Sequence, residues 1–261
     1  MYSVTIIGAG NVASRFAIAL NKAGHRIECI CNRNLEKAEH LNKVLRRDKC
    51  NPAITSDYNA IPQSDIIIIA VSDSAIAEVI ASIPKRDSLI VHTSGATAID
   101  IFETKRPGRY GVFYPLMTLS KGKPLDIRIV PFLIEASDQK SLSILISIVE
   151  SLKAEYKVCD SETRLRLHLG AVYATNFINY MLSLAYDISH PDFVFLLPSA
   201  VETVRKAFLQ TPDKMQTGPA MRGDLVTIEK HKNMLEEIYP QEHRKVYDLL
   251  TELIKKKYEQ L

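Results

Sequence analysis

Three features of the sequence predict an α/β fold in which a doubly wound, mostly parallel sheet is followed by a smaller all-α domain. A short apolar run, Val4 to Ile7, passes through Gly8-Ala9-Gly10 into an amphipathic stretch, which reads as strand, glycine turn and helix. The segment SDIIIIAVS is an unbroken β-branched run, the pattern of a strand buried on both faces of a parallel sheet. Past Asp160 the strand signals end and helical spacing takes over.

The elements follow in order. The first helix gathers Val12, Phe16, Ala19, Leu20 and Ala23 as its apolar positions, HRIECICN alternates and is β-rich, NLEKAEHLNKVL has helical spacing, and AITS is a short extended piece. After SDIIIIAVS, the stretch SAIAEVIASI reads as a helix with Ser74 available as N-cap, and SLIVHTSG as another buried strand ending in small polar residues. RYGVFYPL and RIVPFLIEA continue the rhythm, followed by a helix from about Gln139 to Leu152 and the piece AEYKVCD. Three helical stretches come next, about Glu162 to Ile188, Ser199 to Leu209 and Arg222 to Ile238, and a last one starts at Gln241. The change in composition divides the chain into a sheet domain, 1–159, and a helical domain, 160–261.

Composition narrows the function classes. A chain of 261 residues with 46% hydrophobic residues can bury a sizeable core. Its net charge of +3 is small, and the basic and acidic residues are interleaved, so charge alone does not point to nucleic acid. The longest apolar runs, such as Ile66 to Val71, fall far short of the roughly 20 residues of a membrane helix. Cys29, Cys31, Cys50 and Cys159 form neither a CxxC pair nor a disulfide framework, and the first strand stands where a signal peptide would need its apolar core. A cytoplasmic protein without a resident metal is expected, since His168 and His231 lack ligand spacing within one helix.

The glycine turn carries the clearest chemistry. In a Rossmann unit the first glycine allows a tight turn, the second lets a pyrophosphate approach the backbone, and the third position must be small so that helix and strand can pack. Gly8, Gly10 and Ala13 fill those places, with Ala9, Asn11 and Val12 between them. The helix that starts there offers N–H groups and the positive end of its dipole to phosphates. An Asp or Glu at the end of the second strand would hold the ribose hydroxyls of NAD. Asn32-Arg33-Asn34 stands there instead, and Glu28 lies too early, so NADP is the expected cofactor, with Arg33 stacking on the adenine or gripping the ribose phosphate. Val71 and Ser72, at the end of the isoleucine strand, complete the expected cofactor contacts.

Other candidates have a functional and a structural reading side by side. Ser94 could donate to a substrate carboxylate or carbonyl with Gly95 letting the backbone come close, or the pair could be a small-residue turn with Ser94 as its cap. His92 reads as a satisfied, partly buried histidine. His168 and Asn176 lie eight residues apart in an apolar stretch, about 80° apart at 3.6 residues per turn, as proton donor and carbonyl-orienting amide or as core hydrogen-bonding groups. The segment TGPAMRGDLVTIEKHKNML places Arg222, Asp224, Thr227 and His231 on one helix, with Leu225, Ile228 and Leu235 as its apolar stripe, either a substrate-facing cluster or a cap and a solvent face.

GAGNVA, NRN, DIIIIAVSDSAI and HTSGA resemble the superfamily of 6-phosphogluconate dehydrogenase, 3-hydroxyisobutyrate dehydrogenase and pyrroline-5-carboxylate reductase. Together with GVFYPLMTLS, the His168 to Asn176 helix and TGPAMRGDLVTIEKH, they resemble more closely a bacterial family of provisionally assigned NADP oxidoreductases, with a Rossmann-like N-terminal domain and a helical C-terminal domain of unknown function. The resemblance implies a small substrate enclosed between cofactor domain and helical domain, with His168, Asn176, Arg222, Asp224 and His231 as cleft residues, and a homodimer through the helical domain. It also exposes a departure. The hydroxyacid dehydrogenases carry a lysine four residues before an asparagine, and here that place is Val172, with His168 a further turn back. The expected activity is hydride transfer between NADP and a C=O or C=N of a small acidic substrate. A non-catalytic NADP(H)-sensing module and a reductase that pairs a deazaflavin with NADP are the alternatives.

Overall fold

The structure is a computed structural model and describes residues 1–103, 108–118 and 125–258. Strands β1 (Ser3–Ile7), β2 (Arg26–Cys31), β3 (Ala53–Thr55), β4 (Ile66–Ile69), β5 (Leu89–His92), β6 (Tyr110–Pro115), β7 (Phe132–Ala136) and β8 (Tyr156–Val158) form one sheet in the order β3-β2-β1-β4-β5-β6-β7-β8. Neighbouring strands are parallel except β6 and β7, which run antiparallel. The strand order reverses between β1 and β4, the topological switch point at which open α/β sheets bind ligands.

Helices α1 (Asn11–Lys22), α2 (Leu35–Arg46), α3 (Asp73–Ser82) and α4 (Gln139–Ser151) cover the sheet. The isoleucine run explains how both faces are filled. Successive side chains of a strand alternate, so Ile66 and Ile68 enter one core with Phe16, Leu20 and Phe113, while Ile67 and Ile69 enter the other with Ile76, Ile80 and Phe102. α3 begins earlier than the Ser74 cap implies: Ser72 occupies the N-cap, makes no side-chain cap bond, and has its Oγ 3.3 Å from that of Ser74.

The chain divides into two compact units, Met1–Thr175 and Asn176–Leu261. The composition change at residue 160 precedes this division because α5 (Ser161–Ala171), a helix like those of the second unit, is tied into the sheet unit. Arg164 on α5 is 1% exposed and forms an ion pair with Glu135 of β7, while its guanidinium also donates to the Thr97 carbonyl at 2.6 Å. Ser161 donates its Oγ proton to Glu135 at 2.8 Å and accepts from the Ile99 N–H at 3.0 Å.

The second unit contains α6 (Ile178–Ser189), α7 (Leu197–Gln210), α8 (Pro212–Met215), α9 (Pro219–Arg222), α10 (Leu225–Ile238) and α11 (Gln241–Tyr258). The helix expected from Arg222 to Ile238 is broken. Gly223, with φ +66°, adopts the left-handed conformation that ends α9, and Asp224 then caps α10. The expected apolar stripe of α10 is also narrower, since Ile228 and Leu235 are buried whereas Leu225 is exposed. Arg244 of α11 clamps the two helices by donating to Glu236 and to the Lys232 carbonyl.

Candidate functional site

The three positions of the glycine motif have three separable jobs. Gly8 has φ +119°, and a Cβ there would press into the carbonyl of Ala70, so the fold itself requires glycine where β1 passes β4. Its N–H donates to the Cys31 carbonyl at 2.8 Å. Ala13 is fully buried in the core between α1 and the sheet, as the third position demands. Gly10 differs from both. Its φ is −81° and a Cβ would meet nothing within 4 Å, so neither backbone strain nor packing calls for glycine there. Gly10 caps α1 without a side chain, and the first turn of that helix holds no acidic residue to neutralise its positive end.

An open cleft of about 1640 Å³ runs along this corner. Gly8, Ala9, Gly10, Asn11 and Val12 line it, as do Asn32 and Arg33 after β2 and Val71 and Ser72 after β4. Of the expected cofactor residues Ala13 alone stays off its walls. Asn34 accepts from the Lys37 N–H at 3.0 Å and so starts α2, which carries Lys37 and His40 along the cleft beside Arg33. Glu28 is paired with Arg26. Lys37 and His40, three residues apart on one face of α2, were not expected here, because Arg33 precedes that helix and no helical spacing links them to it. Tyr58 also lines this end, its phenol pushed up first by burial.

At the other end, the turn after β5 is built from its own polar groups. His92 is fully buried and stacks on Phe102, and its Nδ1 accepts from the Ser94 N–H at 3.2 Å, which leaves the ring proton on Nε2. Burial, helped by the nearby Arg164 charge, pushes the His92 pKa down to about 3. Ser94 Oγ accepts from the N–H groups of Ala96 and Thr97 at 3.1 and 2.9 Å, so it caps the turn and keeps only its own proton to donate. Gly95 has a reason other than the approach of a substrate. A Cβ there would stand 2.8 Å from Tyr114 Cζ and from His168 Cγ, so the missing side chain makes room for a phenol and an imidazole.

Those two rings meet over Gly95. Tyr114 Oη and His168 Nδ1 are 2.9 Å apart and the rings sit edge to face. Tyr114 lines the cleft, together with Thr93 and Asp73, whereas His168, Ser94 and Gly95 do not. Burial raises the Tyr114 phenol above its ordinary range, and the Asp73 charge adds to this. No spacing in the sequence ties Tyr114 to His168, 54 residues away. The tail of the GVFYPLMTLS segment that carries Tyr114, Leu119 and Ser120, lies outside the described residues.

Asn176 opens the second unit within a π-helical stretch, Val172–Phe177. Its i→i+5 bonding changes the turn, so the 80° relation to His168 reckoned for a regular α-helix does not apply. Thr175 Oγ1 donates to the Ala171 carbonyl at 2.7 Å within this stretch. Arg222 ends α9 and is not on the helix that carries Asp224, Thr227 and His231. Asp224 accepts from the Thr227 N–H at 3.1 Å and from its Oγ1 at 2.7 Å, which lowers the carboxyl below its usual range, with smaller contributions from Arg222 and His231. His231 is exposed, and its Nδ1 lies 3.0 Å from the Tyr247 hydroxyl.

Among the described residues no group of three or more His, Cys, Asp or Glu side chains is placed to hold a metal ion, and no helix is long and apolar enough to cross a membrane. Cys29 and Cys31 are buried thiols pushed up to about 12 and about 11, which keeps them protonated.

Comparison with known proteins gives a family for each part of the chain. Residues 3–95 match the family described as NADP oxidoreductase coenzyme F420-dependent, and residues 130–254 match a domain of unknown function, DUF2520. A comparison with curated proteins found no match. Among solved structures, a Bacteroides fragilis protein provisionally described as an NADP oxidoreductase is 35% identical, with a TM-score of 0.87 over 98% of both chains. Protein TM1727 from Thermotoga maritima shares the fold at 23% identity and a TM-score of 0.70, over 98% of both chains. A Coxiella burnetii pyrroline-5-carboxylate reductase does so at 16% and 0.55, over 98% of this chain and 97% of its own. Since the identity to the Bacteroides protein extends over nearly the whole of both chains, the chain belongs to the family that joins a Rossmann-type NADP oxidoreductase domain to a DUF2520 domain.

Proposed function

We propose that the protein is an NADP-dependent oxidoreductase that transfers a hydride to or from a C=O or C=N bond of a small acidic substrate. The observation that carries this reading is Gly10, a glycine that the fold does not need, at an uncapped helix N-terminus on a large cleft. A pyrophosphate needs that bare backbone. Residues Gly8 to Val12 would hold it, Ser72 and Asn32 would flank it, and Arg33 with Lys37 would take the ribose phosphate, where a carboxylate would repel it. When bound, NADPH supplies the hydride.

The chain's own residues bind, orient and deliver protons. Ser94 keeps one proton to donate, Asn176 and Arg222 are the second unit's candidates for orienting the substrate and meeting its acidic group, and His168 supplies protons toward the cleft. Asp224 and His231 are assigned to the same substrate-binding role. A second copy of the chain is the proposed cover for the apolar side chains exposed on the helical unit, making a homodimer.

Titration with NADPH and NADH, followed by nucleotide fluorescence, tests the reading. Micromolar binding of NADPH with much weaker NADH is expected, and Arg33→Ala should cost NADPH roughly 10- to 100-fold while leaving NADH nearly unchanged. Binding of neither nucleotide overturns it. The matched family's description also favours a second reading, in which a reduced deazaflavin exchanges hydride with NADP in the same cleft. Deazaflavin absorbance retained by the purified protein, or NADP reduction on adding reduced coenzyme F420, would favour that reading.

A further inference from the structure

The reduction of a carbonyl or imine requires one proton for each hydride, and the donor must reach the reacting atom. His168 does not line the cleft, but the phenol to which it is hydrogen bonded does. We propose that Tyr114 is the catalytic acid of the site, with His168 as its proton source and the buried Arg164–Glu135 pair as the device that positions them. The proposal rests on the NADP reading.

The geometry supports each role. Tyr114 stands on β6, two strands from the switch point, and its ring is held over Gly95 by the absence of a Cβ there. His168 lies one helical turn beyond Arg164 on α5, and Arg164 ties that turn to β7 through Glu135 and to the loop after Gly95 through the Thr97 carbonyl. The stretch of α5 before the imidazole is therefore tied to β7 and to the loop after Gly95. In the reducing direction Tyr114 Oη gives its proton to the substrate oxygen or nitrogen. The phenolate left behind takes the Nδ1 proton of protonated His168, and the half-exposed neutral imidazole regains a proton from solvent. In the oxidising direction the same protons move back. Asp73 is the charged group acting on the phenol, and it opposes ionisation. Of the two cations on α5, Arg164 is paired with Glu135 and Arg166 with Glu162.

The test reads the phenol directly and needs no substrate. Tyrosinate absorbance is titrated against pH in the NADP⁺ complex and in the NADPH complex, and the same titration of Tyr114→Phe is subtracted, which isolates one phenol among 11 tyrosines. Oxidised nicotinamide is cationic, so Tyr114 should ionise roughly one to three pH units lower with NADP⁺ than with NADPH. His168→Leu, which removes the hydrogen-bond donor, should move ionisation upward in both complexes. Equal ionisation in the two complexes overturns the proposal while leaving the cofactor reading intact. If neither nucleotide binds, the cofactor reading fails and the proposal falls with it.

Discussion

The sheet unit and the helical unit solve the problem of apolar surface in opposite ways. In the first, strands buried on both faces supply two cores, and in the turn after β5 His92 Nδ1 and Ser94 Oγ take up backbone N–H groups of the turn itself. In the second, Ile228 and Leu235 are the buried hydrophobic residues among those described, while Phe195 is 78% exposed, Phe208 80% and Leu209 68%. A parallel sheet flanked by helices closes its own core. The helices after α5 leave many apolar side chains exposed among the described residues.

That contrast can be tested, starting with the largest effect. Arg164→Ala leaves Glu135 unpaired in the sheet unit and should cost about 3–5 kcal/mol in urea unfolding, whereas replacing both with Met and Leu should be close to neutral. If the single and double replacements cost the same, the ion pair is not what ties α5 to the sheet. Gly8→Ala combines a disfavoured φ with a backbone collision and should cost at least about 2 kcal/mol. Gly10→Ala should leave stability within about 0.5 kcal/mol and abolish tight NADPH binding, a division that calorimetric melting and fluorescence titration can measure on the same samples.

For the helical unit, sedimentation equilibrium should give twice the 29.3 kDa chain mass, and Phe208→Asp together with Phe195→Asp should return it to monomer. A wild-type monomer at micromolar concentration would rule out a second copy as the cover of these side chains. The last effect concerns pH and is absent at neutrality. His92 has a folded pKa of about 3 against an ordinary 6.5, so the unfolded chain binds the extra proton. The stability this neutral histidine lends is complete above pH 6.5 and is lost as pH falls toward 3, at up to about 1.4 kcal/mol per pH unit. His92→Gln should flatten that part of the stability profile in acid-denaturation curves.

Much of the sheet unit was legible residue by residue. The isoleucine run implied burial on both faces and GAGNVA implied the turn; the cleft walls include the glycine turn up to Val12 and both Asn32 and Arg33. These signals are local, since each depends on neighbours within a few residues. The helical unit was less legible because its turns depend on single positions: Gly223 separates Arg222 from Asp224, and a π-helical stretch shifts Asn176 relative to His168. Gly95 was legible as a tight spot but not for its cause, which is a pair of rings contributed by two distant segments.

The sequence alone therefore determined the order of strands and helices, the glycine corner and the absence of a carboxylate from Asn32-Arg33-Asn34 after the second strand, because periodicity, β-branching and turn chemistry act over short spans. The tertiary structure alone decided that Tyr114 and His168 touch, that Arg164 draws α5 into the sheet unit, and that Ser94 serves as a cap. Those outcomes depend on which strands become neighbours and on which buried charge finds a partner, and separation along the chain carries no record of either.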